Sequence, residues 1–381
     1  SVDWVATQTE TAIRQLHDRY TPRLHQPTSA EERLEFLAAS PMARAAHRKQ
    51  CSKLVSVWRS VFRALPPEIK RLSASVDLTK LQAAFDAMVI AMREGVLVDQ
   101  RDELVAALGE LGEMAEQLVE SLFPGERPYP GPYWDFRRSS KLEDALNQTV
   151  EVIKAVSNYV HAQRQLPWVL TGEAGTGKSH LLADLARKLL AEGRACLLMV
   201  GERFAADVAL AEQMPTLINW GWSLGDLLAC LSAQAAISGQ PAILMVDAIN
   251  ESLRGLWRRE LLQLTALLGS YPGVRLLVSC RTDCLESSLP KDILNGHNTI
   301  RHHGFDLQFH ESVQAFFDGY QVASLQFPTA NPEFHNPLFL KTLCEAYQGK
   351  TLPLGPMTFV GVLSAWEDRV AENIEKKLDC S

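Results

Sequence analysis

The chain lacks any unbroken apolar run near the roughly 20 residues that a membrane-spanning helix needs. It also lacks the charged stretch and apolar core of a secretory leader. It has no internal repeat and no low-complexity tract. Positive charge is not in excess: the formal net charge is −7, so the bulk surface gives no electrostatic reason to bind nucleic acid. Only a local basic groove could do so. Seven cysteines are scattered at Cys51, Cys196, Cys230, Cys280, Cys284, Cys344 and Cys380. The close pair Cys280 and Cys284 has no matching Cys or His pair at zinc-ligand spacing. Free thiols in a reducing, cytoplasmic setting are expected. The chain opens on Ser1 rather than Met and stops abruptly at Ser381, as a piece of a longer protein would.

The 381 residues suffice for two or three domains, and the 46% hydrophobic and 22% charged fractions are those of a globular protein. Residues 1–128 read as a helical domain. Leu78, Leu81, Phe85, Met88, Val89 and Met92 recur at three and four, and 104–122 repeat that stripe. The short connection 94–101 folds the two into an antiparallel pair. Tyr20-Thr21-Pro22 breaks an earlier helix. Residues 129–166 form a linker and lead-in helix, preceded by a tract (124–133) rich in proline and glycine. From 167 to 309, buried apolar strands alternate with helices, the pattern of a parallel α/β sheet. Strands are expected at 167–171, 195–200, 241–246 and 274–279, with a weaker fifth near 305–309. Residues 310–381 form a helical lid, in which Asn336 caps a helix that Pro337 begins and Gly349 stops.

One octapeptide dominates: Gly172-Glu173-Ala174-Gly175-Thr176-Gly177-Lys178-Ser179. It fits G-x-x-x-x-G-K-[ST], between a β-favouring run and a helix-favouring run that opens at His180. Strand, glycine loop and helix in that order make a cradle of backbone N–H groups for a polyphosphate. Lys178 is expected on the β- and γ-phosphates and Ser179 on Mg²⁺. About 70 residues on, a buried strand ends in Asp247, placed to hold the metal at the carboxyl edge of the sheet. Glu251 lies four residues further, as the base or orienter of an attacking water; Asn250 could help position it. A third strand ends in Ser279-Cys280-Arg281. Arg281 is expected to sense the γ-phosphate or stabilise charge in its transfer, with Ser279 a weaker sensor.

With these elements in hand, the chain resembles STAND-type P-loop NTPases (signal-transducing ATPases with numerous domains) of the NACHT-like group. The Asp-x-x-Asn-Glu box at 247–251, the Ser-Cys-Arg segment and Asn-Pro-Leu-Phe-Leu-Lys at 336–341 are similar to the bacterial antiviral AVAST or Avs proteins. Arg19-Tyr20-Thr21-Pro22 also resembles that group. The resemblance implies an AAA-like (ASCE) sheet with the phosphate-loop strand in its middle, ATP and Mg²⁺ as cofactors, and Pro337 near the adenine. It implies homo-oligomerisation on activation, an effector, and a foreign (phage) ligand sensed by a region absent here. Asn250 stands where some members carry a second acidic residue, which leaves Glu251 as the candidate base and points to slow hydrolysis. His302, His303 and His335 are read as structural. A rival reading is a DNA-handling AAA+ ATPase or loader. It would need a basic stripe, for which Arg254-Gly-Leu-Trp-Arg258-Arg259 is the one candidate. A third is a fragment that retains nucleotide and barely turns it over.

Overall fold

The computed structural model describes residues 2–40, 45, 49, 167–271, 273–294, 298–324, 332–353 and 357–378. The expected helical stripes at 78–122, the tract 124–133 and the linker and lead-in helix at 129–166 lie outside the described residues. The chain divides into two compact units, Ser1–Leu34 with Gln165–Ser381, and Glu35–Arg164. The first carries the phosphate loop.

Five strands form one parallel sheet: β1 Trp168–Gly172, β2 Cys196–Val200, β3 Ala242–Asp247, β4 Val274–Arg281 and β5 Thr299–Arg301, in the order β2-β3-β4-β1-β5. The first three are buried along their whole length and β4 along all but Arg281. That is why their sequences are continuous apolar runs rather than alternating ones. Two expectations need correction. The strand before the phosphate loop is interior but not central, since β4 takes the middle. The fifth strand is Thr299–Arg301, not 305–309. Phe305 is buried because it packs in the lid's own core, against Phe316, and its burial is no sign of a strand.

Register sets what gathers at the carboxyl edge. Gly172 is opposite Arg281 and Val246 is opposite Val278, so the start of the loop, Asp247 and Arg281 emerge side by side. Ligands bind at this edge of open parallel sheets. Helices α3 (Lys178–Ala191), α4 (Leu210–Leu217), α5 (Leu224–Ser238) and α6 (Leu256–Leu268) connect the strands. They bury Leu182, Leu228 and Leu261 completely.

At the amino terminus, α1 (Val2–Gln15) covers the edge strand β2. The buried Thr9 hydroxyl donates to Cys196 O at 2.6 Å and accepts from Leu198 N at 3.3 Å. It thereby satisfies edge groups that would otherwise seek another strand. A short arm then leads to α2 (Ser29–Leu37).

The lid comprises α7 (Phe309–Tyr320), α8 (Pro337–Ala346) and α9 (Phe359–Leu378). Val313, Phe316 and Phe317 share the buried face of α7, as their spacing predicts, and pack with Phe334, Phe339 and Leu343. Asn336 caps α8 as expected: its Oδ1 accepts from the N–H groups of Leu338 and Phe339 at 2.9 and 3.3 Å. The helix ends at Ala346, and Gly349 takes a left-handed φ of +72° in the turn beyond.

Candidate functional site: a phosphate loop closed by the lid and an amino-terminal arm

The loop wraps the amino terminus of α3. Gly175 and Gly177 hold φ of +78° and +98°, values that side chains disfavour. Space forbids a side chain as well. A Cβ on Gly175 would lie 2.7 Å from both Asn336 Oδ1 and Leu338 Cβ, and one on Gly172 2.5 Å from the His302 carbonyl. The lid is therefore seated directly on the loop. Leu338 N donates to Gly175 O at 3.1 Å, and Asn336 Nδ2 donates to Ala174 O at 2.9 Å. Pro337 faces Gly177, with Cγ 3.6 Å from the position a Cβ there would take. Thr176 closes the turn by donating to Glu173 O at 3.0 Å.

The Lys178 ammonium donates to the carbonyls of Gly172 and Glu173, each at 2.8 Å. Burial lowers its pKa, and the nearby Asp247 carboxylate opposes that shift. Asp247 is wholly buried at the end of β3. Its Oδ1 accepts from Ser279 Oγ at 2.6 Å, and Ser279 Oγ accepts from Ala248 N at 2.7 Å. Ser279 thus orients Asp247, and it also lines the cavity. Burial raises the Asp247 pKa, while the neighbouring Ser179 and Ser279 hydroxyls pull it down. The other oxygen, Oδ2, is buried with no hydrogen-bond partner. An orphaned carboxylate oxygen beside Ser179 fits a divalent cation, which takes hard oxygen ligands.

After Asp247 the chain turns through Ala248 at φ +54° into the turn Ile249–Glu251. Asn250 Oδ1 accepts from Arg281 N at 3.1 Å and ties the two strand ends together. Arg281 reaches the same cavity, but its guanidinium is committed to Asp283, at 3.2 Å from Nε and 2.8 Å from Nη2.

Lys178, Ser179, Asp247, Asn250, Ser279 and Arg281 line one cavity of about 310 Å³, large enough for a small ligand. The structure brings together Ala174 to His180, Asp247, Glu251, Arg281 and Pro337 around it, with Gly172 and Glu173 carrying the Lys178 contacts. Sequence reasoning missed part of its wall. His302, read as structural, lies against the loop with Nε2 3.4 Å from the Cβ position of Gly177. Burial and the adjacent Lys178 depress its pKa to about 4, so it is neutral at pH 7.

The second omission is the amino-terminal arm. Arg19, Thr21, Leu24 and His25 all line the cavity. The arm is fastened to α3. Thr21 N donates to His180 Nδ1 at 3.2 Å, and Tyr20 lies against the His180 ring and under Arg187. Burial holds the His180 pKa down at about 4. Neutral His180 takes the Thr21 proton at Nδ1, so its own proton sits on Nε2 and points at His25 Nδ1, 3.1 Å away. The remaining His25 nitrogen then carries its proton toward Glu31 at 3.3 Å and Asp184 at 3.7 Å. His25, Glu31 and Asp184 have the spacing of metal ligands. A metal there would move the His25 proton onto Nδ1, where His180 already donates, so the trio is read as the end of a hydrogen-bond chain.

These features define a P-loop NTPase fold: a parallel sheet, a glycine loop opening a helix, and an aspartate at the end of the next strand but one. No protein-family model matches the chain. The chain is similar to the signal recognition particle receptor FtsY of Mycobacterium leprae, 24% identical over 197 residues, covering 50% of this chain and 43% of that one. The chain thus spans less than half the length of that curated relative. Among solved structures it is similar to C. elegans PCH-2 (TM-score 0.28, 15% identity, 55% of this chain and 62% of that one). It is also similar to Cdc6p from Pyrobaculum aerophilum (TM-score 0.31, 15% identity, 65% and 63%). No helix among the described residues is long and apolar enough to cross a membrane.

Proposed function

We propose that the protein binds ATP with Mg²⁺ in this cavity and hydrolyses it slowly, as the nucleotide switch of a STAND-type, Avs-like defence protein. One observation carries the nucleotide reading: the loop, Asp247, Glu251 and the lid residue Pro337 converge on a single cavity. Backbone N–H groups of 173–179 and the Lys178 ammonium bind the phosphates, Lys178 exchanging two carbonyls for phosphate oxygens. Ser179 and Asp247 would hold the cation, which would supply neutralising charge to the phosphates. Glu251 orients a water for attack on the γ-phosphorus and accepts its proton, while the bond from the γ-phosphorus to the bridging oxygen breaks and ADP leaves. Arg281, turning from Asp283, meets the charge that develops. Leu24, Phe305, Phe316 and Leu338 give the cavity an apolar side for a base; the preference for adenine rests on the resemblance.

Switching requires that tri- and diphosphate favour different states. Because the loop is bonded to the lid through Asn336 and Leu338, nucleotide occupancy and lid position are coupled. The resemblance further supports ATP-dependent homo-oligomerisation driven by a foreign ligand. The DNA-handling reading finds little support in its candidate segment. Trp257 is buried in the core and Arg259 pairs with Asp207 at 2.8 Å, so the segment presents no aromatic surface to a base.

The test is thermal. ATP with Mg²⁺ raises the melting temperature of the wild type, and Lys178→Ala abolishes the rise. An undiminished rise in that variant refutes the assignment.

A further inference from the structure

Arg19 is the one arm residue whose charge crosses the cavity mouth. Its Nη1 lies 3.1 Å from Glu251 Oε2, a contact between residues 232 positions apart. Glu251, with Asp247 and Glu202 behind it, raises the Arg19 pKa although burial opposes the shift. The arm cannot drift freely. Thr21 N is bonded to His180, Tyr20 is held against α3, and Ser29 N donates to Asp306 at 3.0 Å. These three contacts therefore aim Arg19 at the residue proposed to handle the attacking water. Arg281, which also lines the cavity, is likewise committed to a carboxylate, Asp283.

Resting on the ATP reading above, we propose that Arg19 is a positioning residue that distinguishes triphosphate from diphosphate by releasing Glu251. Without a γ-phosphate, the guanidinium holds a Glu251 oxygen that would otherwise take a proton from water. A γ-phosphate brings more negative charge than one carboxylate and can accept a bidentate contact from a guanidinium. Arg19 transfers to it, and Glu251 becomes free to accept from water. The pair suits such an exchange because it is half-exposed, with side chains 46% and 35% accessible. Ion pairs of that exposure are weak and readily broken. A diphosphate ends short of this position and leaves the pair closed. Base activation is thereby tied to the presence of the bond to be cleaved, and the arm registers which nucleotide is bound.

The experiment titrates ADP and a non-hydrolysable ATP analogue, each with Mg²⁺, into the wild type, Arg19→Ala, Arg19→Lys, Glu251→Gln and the Ala/Gln double variant. Loss of a charge-assisted contact should weaken the triphosphate analogue roughly tenfold in Arg19→Ala and leave ADP unchanged. Arg19→Lys should recover part of that loss. Glu251→Gln, which opens the pair, should tighten the analogue about two- to fivefold, and this gain should vanish when Arg19 is also alanine. Equal tightening with and without Arg19 would mean simple charge repulsion by Glu251 and would overturn the proposal. Equal weakening of both nucleotides in Arg19→Ala would make Arg19 a mere support of the arm and would also overturn it. A wild type that binds neither nucleotide rejects the ATP reading itself, a result distinct from either of these.

Discussion

Replacing Asn336 by alanine tests whether the lid is bonded to the phosphate loop or only lies near it. The side chain does two jobs. Its Oδ1 caps α8 through Leu338 N and Phe339 N, and its Nδ2 donates to Ala174 O at 2.9 Å. Loss of an asparagine cap costs about 1 kcal/mol. Loss of the second bond adds about 0.5–1.5 kcal/mol. Taken together the two amount to about 1.5–2.5 kcal/mol. For a unit of this size each kcal/mol moves the melting temperature by roughly 2–4 °C. Asn336→Ala should therefore lower it by about 3–10 °C in the absence of nucleotide. Asn336→Ser separates the jobs, since serine caps a helix but has no amide to reach Ala174. It should recover about half of the loss in melting temperature. If the coupling runs through that amide, Asn336→Ser should still weaken nucleotide binding as much as Asn336→Ala. Calorimetry and nucleotide titration on the three proteins decide the matter. A serine variant that restores binding fully would show that the cap alone matters and that the Ala174 bond transmits nothing.

The remaining predictions concern the loop, the buried acid and the buried histidine. Gly175→Ala places a Cβ 2.7 Å from Asn336 Oδ1 and Leu338 Cβ at a left-handed φ, so it should destabilise the fold by at least 1 kcal/mol and weaken nucleotide binding; denaturant melts and titration check both. Asp247→Asn should leave apo stability near or above wild type, because a buried carboxylate with an orphaned oxygen is removed, while Mg²⁺-dependent nucleotide binding is lost. Since the folded-state pKa of Asp247 lies above its ordinary value, the stability it contributes is fully present below about pH 3.8 and disappears as pH rises through the raised value. The asparagine variant should flatten that part of the apo profile. His302 has the opposite sign: its pKa falls from 6.5 to about 4 on folding, so its contribution is present above pH 6.5 and is lost as pH drops toward 4, by roughly 1.4 kcal/mol per pH unit at most. His302→Phe should remove that acid sensitivity, and an unchanged slope between pH 6.5 and 4 would contradict the burial argument.

What could be read from the sequence, and what could not, follows from how each part is held. The phosphate loop, Asp247 and the α8 start are each specified by a few consecutive residues. Glycines are needed for left-handed turns, an apolar run for a strand buried on both faces, and Asn-Pro for a helix start, and these leave local signatures. The fifth strand leaves almost none: three residues paired only with β1 do not make a periodic run, and the apolar cluster near Phe305 belongs to the lid. The arm is harder still. Arg19 meets Glu251 and Thr21 meets His180 across 232 and 159 positions, and a single ion pair or N–H contact imposes no periodicity on its surroundings. Only the resemblance of Arg19-Tyr20-Thr21-Pro22 to a family segment marked the place. Its composition, a helix-breaking proline beside polar residues, reads as a turn on the surface. Folding turns it into a wall of the cavity because α1 is anchored on β2 by Thr9 and the following residues by His180. The groups proposed to bind phosphate are thus local in sequence, while those proposed to tell one phosphate state from another are contributed by distant segments.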